Sequence, residues 1–297
     1  MNSIQIGDSL DASRLAYGCM RLDGEAGKRA VHAAVDAGYT LFDHADVYGG
    51  GSCETLFGEV LRESPGLRDK ILIQGKCGIR LAGAPSPESP ARYDFSKHYI
   101  TASVEASLQR LGVEQFDLFL LHRPDYLMSA AEVADTVHDL LSGGRIAHFG
   151  VSNFSASQVE MLQAALDTPI VVNQVEINLH NVDALENGVL DQCQRMTITP
   201  QAWCPLAVVA YPAWGNTFSE TDEARIRAEL DRQSDVYGRE PWVIALAWLL
   251  RHPAGISPII GSTTPDRIEA ATAALDIDYS REDWYRLFEA RNGQSVP

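Results

Sequence analysis

The sequence predicts a single-domain α/β protein of the (β/α)8 TIM-barrel class, and three observations support this. The 297 residues suit one barrel of roughly 250 residues with extensions, or two smaller domains. Eight short apolar segments alternate with segments whose apolar residues recur at helical spacing, which fits a barrel better than a six-stranded doubly wound sheet. No linker or shift in composition divides the chain. We therefore expect one domain over residues 1–297.

Most of the eight apolar segments are continuous rather than alternating, as is typical of parallel strands buried on both faces. In chain order the predicted strands are Leu15–Tyr17, Leu41–Asp43, Ile71–Lys76, Phe116–His122, Ala147–Ser152, Val171–Val175, Thr197–Trp203 and Gly255–Ile260. Before the first of them, Ile4–Ile6 and the turn-forming pair Gly7 and Asp8 predict a hairpin that closes the bottom of the barrel.

Helical periodicity fills the segments between these strands. The clearest examples are Ala26–Ala37, Thr55–Arg62, Ile100–Leu111, Glu132–Leu141, Ser157–Leu166 and Asp183–Gln194. Ser155 is placed to cap the N-terminus of a helix, because its hydroxyl can accept a hydrogen bond from a free backbone N–H. Gly38 and Gly112 stand where helices should end, since glycine adopts the left-handed conformation there at low cost.

Charge and composition exclude several functional classes. With 24 Lys and Arg against 40 Asp and Glu, the formal net charge is -16, which disfavours nucleic acid and anionic membrane surfaces as partners. The longest apolar run with helical character, Trp242–Leu250, is much shorter than the ~20 residues of a membrane span. The first residues show no export signal, and the five cysteines form no CxxC pair. We therefore expect a cytoplasmic protein with reduced thiols.

Two predicted loops exceed the usual length for a barrel. Residues 77–98 follow the third predicted strand, and residues 205–222 follow the seventh. Both leave the C-terminal face of the barrel, where barrel enzymes carry their active sites. We expect these loops to cover a ligand.

Four chemically capable side chains lie at or just after neighbouring strand ends. Asp43 ends the second strand with Tyr48 five residues on, Lys76 ends the third, and His122 ends the fourth. Burying the ammonium group of Lys76 requires a counter-charge, which Asp43 can supply. A cation close to Tyr48 should lower the pKa of its phenol and so favour proton donation.

These residues and their motifs resemble the aldo-keto reductases. The segments that carry the resemblance are FDHADVYG, the strand-ending Lys76, LLHRPD, GVSNF at 150–154, NQVEIN at 173–178 and IIGSTTPDRI at 259–268, one at each strand end and in the family order. The resemblance implies a (β/α)8 barrel that transfers hydride between a nicotinamide cofactor and an aldehyde or ketone. It also implies that Tyr48 is the general acid, that Lys76 paired with Asp43 tunes it, and that His122 orients the carbonyl.

The resemblance also assigns residues to the cofactor. Ser152, Asn153 and Gln174 would bind the nicotinamide carboxamide, and Trp203 would stack on the ring. The other implied contacts are Gly18, Cys19, Met20, Asp43, Cys204, Pro205, Leu206, Gly261, Ser262, Thr263 and Arg267.

The identity of the cofactor depends mainly on one side chain. Arg267 is placed for the 2′-phosphate, which favours NADP over NAD. Gly261 replaces a lysine that is frequent in members binding NADP tightly, and Ala270 and Ala271 replace residues that contact adenine. Recognition of the adenine should therefore be weaker here or arranged differently.

Three other functions compete with this interpretation. A zinc hydrolase would need Asp43 and His44 on one face of a strand, but adjacent strand residues point to opposite faces, and no HExxH or HxH occurs, so no metal site is expected. Paired carboxylates for glycoside hydrolysis have no partner at other strand ends. A non-catalytic nicotinamide-binding module, like the potassium-channel β subunits, is the stronger alternative. Those subunits can carry Asn at the position of His122, so the complete set of four favours an enzyme.

A small-molecule carbonyl compound is expected, and the side chains that could contact it are Arg21, Tyr93, Tyr211 and Trp214.

Overall fold

Eight parallel strands close into a barrel in a computed structural model that describes residues 1–297. The twelve strands of the protein are β1 (Ser3–Ile6), β2 (Leu10–Ser13), β3 (Ala16–Gly18), β4 (Leu41–Asp43), β5 (Leu72–Cys77), β6 (Ile79–Arg80), β7 (Arg92–Tyr93), β8 (Phe116–Leu121), β9 (Ile146–Ser152), β10 (Ile170–Glu176), β11 (Thr199–Trp203) and β12 (Ser257–Ile260). The barrel consists of β3, β4, β5, β8, β9, β10, β11 and β12, which are neighbours in chain order. The predicted (β/α)8 barrel is confirmed.

Eleven α-helices accompany these strands. They are α1 (Gly24–Asp36), α2 (Ser52–Glu63), α3 (Lys97–Leu111), α4 (Ala130–Ser142), α5 (Ala156–Gln163), α6 (Asp183–Glu186), α7 (Val189–Met196), α8 (Glu220–Tyr237), α9 (Pro241–Leu250), α10 (Pro265–Ala270) and α11 (Arg281–Asn292). Ser155 caps α5 in a reciprocal pair with Gln158, and Gly112 ends α3 at φ +71°, as the sequence predicted. No helix combines the length and the apolar character that a membrane crossing requires.

One predicted helix is divided in two. The periodic segment Asp183–Gln194 forms α6 and α7, separated by Asn187 and Gly188. Gly188 has φ +82°, a left-handed conformation that interrupts the helical hydrogen bonds and that glycine adopts without strain. The prediction of a continuous helix was therefore wrong at this point.

The antiparallel pair β1–β2 closes the N-terminal end of the barrel. Ile6 and Leu10 from this hairpin join the barrel-interior side chains of Leu118 and Val171 in one buried cluster. The turn at Gly7 lies so close to the barrel that a Cβ atom there would approach Val171 Cγ1 to 2.9 Å. The hairpin therefore fills the bottom of the barrel, as predicted.

The main hydrophobic core lies between the sheet and the helices. The inside of the barrel holds a separate, smaller apolar cluster that includes Ile6 and Leu10 of the β1–β2 hairpin. Toward the C-terminal end of the strands the interior holds the fully buried polar side chains Asp43, Gln74, Lys76, Gln174 and Gln201. Buried polar groups of this kind need partners, and their arrangement defines the site.

Candidate active site

A buried ion pair forms the centre of the site. Lys76 on β5 projects into the barrel beside Asp43, the last residue of β4, and Lys76 Nζ lies 2.5 Å from Asp43 Oδ1. Both side chains are almost completely shielded from solvent. Burial lowers the pKa of the Lys76 ammonium, and the carboxylate of Asp43 opposes that shift. The loop after β4 is tied to β5 by the hydrogen bond from Asp46 N–H to the carbonyl of Lys76 (3.0 Å).

Tyr48 lies next to this pair. Three glycines with positive φ follow Tyr48 directly. They form the turn that leads the chain into α2. Lys76 Nζ is 5.1 Å from the centroid of the Tyr48 ring. The predicted decrease in the pKa of Tyr48 is wrong for the protein without cofactor: burial first, and then the negative charge of Asp43, raise it well above its usual value. The phenol is therefore protonated at neutral pH.

His122 borders the same space and immediately follows β8. Its backbone N–H donates to the carbonyl of Cys77 (2.8 Å), and its ring meets the Tyr48 ring edge to face at 5.9 Å. Burial, with the charges of Lys76 and Arg123, lowers the pKa of His122 well below its usual value. The imidazole is therefore neutral, with one nitrogen that donates and one that accepts.

A layer of three glutamines supports the ion pair from below. Gln74 and Gln174 each donate to Asp43 Oδ1, and both donate to Gln201 Oε1 at 2.9 and 3.0 Å. Gln201 returns a hydrogen bond to Gln74 Oε1 (2.9 Å). Asp43 Oδ1 thus accepts from both glutamines as well as from Lys76 Nζ. Gln74 and Gln201 were not predicted as site residues from the sequence, although each lies two residues before a predicted site residue on its strand and so shares its face.

The residues expected at the nicotinamide are assembled beside this layer. Trp203 Nε1 donates to Asn153 Oδ1 (2.9 Å), and Asn153 Nδ2 donates to Ser152 Oγ (2.9 Å). Ser152 Oγ donates in turn to the carbonyl of Gln174 (2.8 Å). The side-chain oxygen of Gln174 receives no hydrogen bond from the protein, so an acceptor is available for an amide N–H. This set fits a carboxamide next to an aromatic ring.

The remaining expected cofactor residues surround the ends of β3, β11 and β12. Cys19 and Met20 belong to a short 3-10 turn after Gly18, and Gly18 packs so tightly that a Cβ would lie 2.9 Å from Ile259 Cγ2. Beyond β12, Arg267 lies exposed on the six-residue helix α10. The other members of the predicted set, Cys204, Pro205, Leu206, Gly261, Ser262 and Thr263, directly follow β11 or β12.

His44 is separated from this site. Its ring is fully buried, faces away from Asp43 and meets the Phe57 ring of α2 at 4.5 Å. Neither ring nitrogen has a hydrogen-bond partner, and burial lowers the pKa of His44 to about 3. The side chains of Asp43 and of His44, which directly follows β4, therefore point in opposite directions.

A cavity of about 670 Å³ opens beside Trp203 and Asn153. Tyr93, from the loop after β5, and Trp214, from the loop after β11, line it. Both long loops therefore contribute to this cavity. Arg21 and Tyr211, the other candidate substrate contacts, lie against each other instead, with the guanidinium 5.6 Å from the ring centroid.

Comparison with known proteins places this site in a family. The sequence profile of the aldo/keto reductase family matches residues 14–292. The chain is 40% identical to the uncharacterized oxidoreductase YcsN of Bacillus subtilis and 37% identical to a 6-dehydroglucose reductase of Agrobacterium fabrum, with 100% of each chain covered. An aldo/keto reductase from Klebsiella pneumoniae, crystallised with NADP and acetate, has a TM-score of 0.78 at 24% identity, over 96% of this chain and 93% of that chain.

The chain therefore belongs to the aldo/keto reductase family, and the resemblance seen in its motifs is confirmed. Members of this family are oxidoreductases that use nicotinamide cofactors and act on small carbonyl substrates.

Proposed function

We propose that this protein is an NADPH-dependent reductase that converts aldehydes or ketones to alcohols, with Tyr48 as the general acid. The observation that carries the proposal is the buried pair of Lys76 and Asp43, whose ammonium lies 5.1 Å from the centre of the Tyr48 ring. Lysine is almost never fully buried unless it is paired, and charge-paired groups with perturbed pKa values cluster at active sites.

The mechanism assigns a role to each of the four side chains. When bound, a reduced nicotinamide supplies the hydride that reaches the carbonyl carbon. Tyr48 donates its proton to the carbonyl oxygen, which is possible because its phenol is protonated in the resting protein. Lys76 stabilises the phenolate that this leaves behind, and Asp43 keeps Lys76 charged and in place. The neutral ring of His122 donates a hydrogen bond that orients the carbonyl oxygen.

The choice of NADPH over NADH depends on Arg267. Its guanidinium is exposed and takes part in none of the ion pairs of the protein, so it is available to a phosphate group. In a protein of net charge -16, a negatively charged cofactor requires such a local cation. The Klebsiella neighbour, which carries NADP in its crystal structure, supports the same choice.

Replacing Tyr48 by Phe tests the proposed function. Tyr48→Phe should reduce the rate of carbonyl reduction by about 10²–10⁴-fold, because only the transferred proton is lost. The affinity for NADPH should stay nearly unchanged. Turnover is followed by nicotinamide absorbance with a panel of aldehydes and ketones, and affinity by quenching of tryptophan fluorescence.

Two outcomes would contradict the proposal. Turnover of Tyr48→Phe equal to that of the wild type would remove Tyr48 from the mechanism. Tight NADPH binding by the wild type without turnover of any carbonyl would instead favour a non-catalytic nicotinamide-binding module.

A further inference from the structure

Tyr48 lies in a segment that has little conformational restraint of its own. The three residues after it, Gly49, Gly50 and Gly51, have φ values of +56°, +62° and +96°. Glycine adopts this left-handed conformation without strain, but it adopts most others as readily, so the segment alone does not fix the direction of the Tyr48 ring. The position of the ring beside Lys76, which the proposed proton transfer requires, therefore depends on contacts with other elements.

One of these contacts comes from Arg110, near the end of α3. A Cβ atom on Gly51 would lie 2.9 Å from both Cδ and Nε of Arg110, so the arginine packs directly against the glycine turn. The guanidinium is held in turn by Glu54, with Nε and Nη2 at 2.7 and 2.6 Å from Glu54 Oε2. Nη2 also donates to Ser107 Oγ (2.9 Å). Arg110 therefore joins the glycine turn, the first turn of α2 and α3 at one point.

Arg110 belongs to a row of polar side chains that recur at helical spacing along one face of α3. The row consists of Tyr99, Ser103, Ser107 and Arg110. At its other end, Tyr99 Oη lies 3.3 Å from Asp46 Oδ2. One face of α3 thus contacts the chain on both sides of Tyr48, before it at Asp46 and after it at Gly51.

The ion pair of Glu54 and Arg110 is expected to contribute little to stability. The side chain of Glu54 is completely buried, and its second oxygen, Oε1, has no hydrogen-bond partner. Burial raises the pKa of this carboxyl, and the charge of Arg110 opposes that shift. Apolar residues in place of a buried ion pair often give equal or higher stability, because desolvation offsets the attraction. The fork of the guanidinium does supply a defined geometry, which fixes where the stem of Arg110 lies.

We propose that Arg110, held by Glu54, is a positioning residue for Tyr48: it fixes the glycine turn so that the phenol lies beside Lys76 in the orientation for proton donation. This inference rests on the proposed function, because it concerns the general acid of that reaction. Arg110 acts through the turn, so its loss should slow the reduction step and leave the binding of cofactor and substrate intact.

Replacing Arg110 by Met tests this role. Methionine keeps an unbranched stem but is flexible, so the turn loses its fixed contact. The rate of carbonyl reduction in a single turnover should fall by about 10–100-fold, since a displacement of about 1 Å near a reacting group can cost about 10²-fold. The KM for the carbonyl and the Kd for NADPH should stay nearly unchanged. Stopped-flow absorbance of the nicotinamide measures this rate apart from product release, which often limits kcat.

Two further variants separate positioning from stability. Arg110→Met leaves the Glu54 carboxylate buried and unpaired, so it should also lower the free energy of unfolding in urea. Glu54→Leu/Arg110→Met removes both charges and should recover that stability without recovering the rate. Arg110→Lys keeps a cation for Glu54 and should recover part of the rate. Recovery of the wild-type rate by the double variant would overturn the proposal, and so would a KM or an NADPH affinity that worsens as much as the rate.

A matched control removes an exposed ion pair from the same helix. Glu105 of α3 pairs with Arg145 (2.8 Å), and Glu105→Leu/Arg145→Met should leave the rate of reduction unchanged. An equal loss of rate in this control would show that the effect is not specific to Arg110 and would overturn the assignment.

Crystal structures separate this proposal from the proposed function. In Glu54→Leu/Arg110→Met the Tyr48 ring should be displaced relative to Lys76, whose Nζ lies 5.1 Å from the ring centroid in the wild type. A ring in the unchanged position would overturn the proposal. If the wild type reduces no carbonyl at all, the proposed function fails, and the position of the ring in this variant still decides whether Arg110 positions Tyr48.

Discussion

At the scale of single residues, the clustering of Asp43, Tyr48, Lys76 and His122 could be predicted because such side chains are unusual at the ends of buried strands. A lysine within a buried strand requires a counter-charge, and Asp43 at the end of the adjacent strand supplies it. Gln74 and Gln201 gave a weaker signal, because an uncharged amide in an apolar run is compatible with many partners. Which amides meet depends on the register of β5 and β11 across the barrel, and that register cannot be read from one strand.

The reciprocal amide pair of Gln74 and Gln201 should contribute to stability as a unit. Gln201→Leu alone leaves buried amide groups of its partners unsatisfied, and the free energy of unfolding should fall by about 1–3 kcal/mol. The double variant Gln74→Leu/Gln201→Leu should lose less than the sum of the two single changes, since neither partner is then left alone. Urea unfolding of the four proteins measures this coupling. Strictly additive losses would show that the two amides act independently.

Arg267 offers a second prediction at this scale. Arg267→Ala should weaken NADPH binding by about 10–150-fold, the effect expected for losing charge-assisted hydrogen bonds of roughly 1.5–3 kcal/mol. NADH, which has no 2′-phosphate, should bind as before. Titration of both nucleotides by fluorescence quenching compares the two losses. An equal loss for both, or none for either, would mean that the 2′-phosphate is bound by other residues.

At the scale of secondary-structure elements, periodicity located the strands within one or two residues. How the elements pack against one another depends on tertiary interactions, and the pairing of α8 with α11 is an example. Asp283 near the start of α11 receives hydrogen bonds from Tyr237 and Arg232 of α8, and from Arg286 of its own helix. This carboxylate joins two helices that are far apart in the sequence, so no local pattern predicts the contact.

Removing the charge of Asp283 should weaken the contact between α8 and α11 and so lower the free energy of unfolding. Burial alone would raise the pKa of this carboxyl, but its bonds to Arg286, Tyr237 and Arg232 outweigh burial and lower the pKa from 3.8 to about 2. The pKa of Asp283 is lower in the folded protein than in the unfolded chain. The ionised carboxylate therefore stabilises the fold at pH values above the unfolded-state pKa, and this stabilisation is lost as the pH falls toward the folded-state pKa. Asp283→Asn should therefore cost about 2 kcal/mol at neutral pH.

The pH dependence distinguishes this effect from a simple loss of packing. Urea unfolding at several pH values should show the difference between wild type and Asp283→Asn shrinking as the pH falls below about 4. A difference that stays constant between neutral and acidic pH would show that the charge is not its cause.

At the scale of the whole molecule, the closed barrel followed from the order of the elements and from chain length. The cavity beside Trp203 did not, because it depends on how the loops after β5 and β11 fold over the barrel. Tyr93 and Trp214 could be named as candidates from their loops, but their meeting around one space is a property of the complete structure.

The net charge of -16 gives a prediction at this scale. Like charges spread over the surface repel each other and destabilise the compact state, and salt screens that repulsion. The Tm should therefore rise by about 2–4 °C between low salt and about 0.5 M NaCl, equivalent to roughly 1 kcal/mol for a chain of this size. Exposed ion pairs also weaken with salt, but each contributes little.

Thermal unfolding at several salt concentrations measures this effect. Potassium chloride should give the same increase as sodium chloride, because screening depends on ionic strength alone. A decrease in Tm would show that local ion pairs outweigh the overall repulsion.

Closure of the barrel also limits how another protein chain can associate with this one. Each of the eight barrel strands has a hydrogen-bonded neighbour on both sides, so the central sheet has no free edge. The remaining edges belong to β1–β2 and β6–β7, two hairpins with strands of four and two residues. A second chain therefore cannot lengthen the central sheet by adding a strand to it. Apart from the short edges of these two hairpins, association of this protein has to use side chains on its helices and loops.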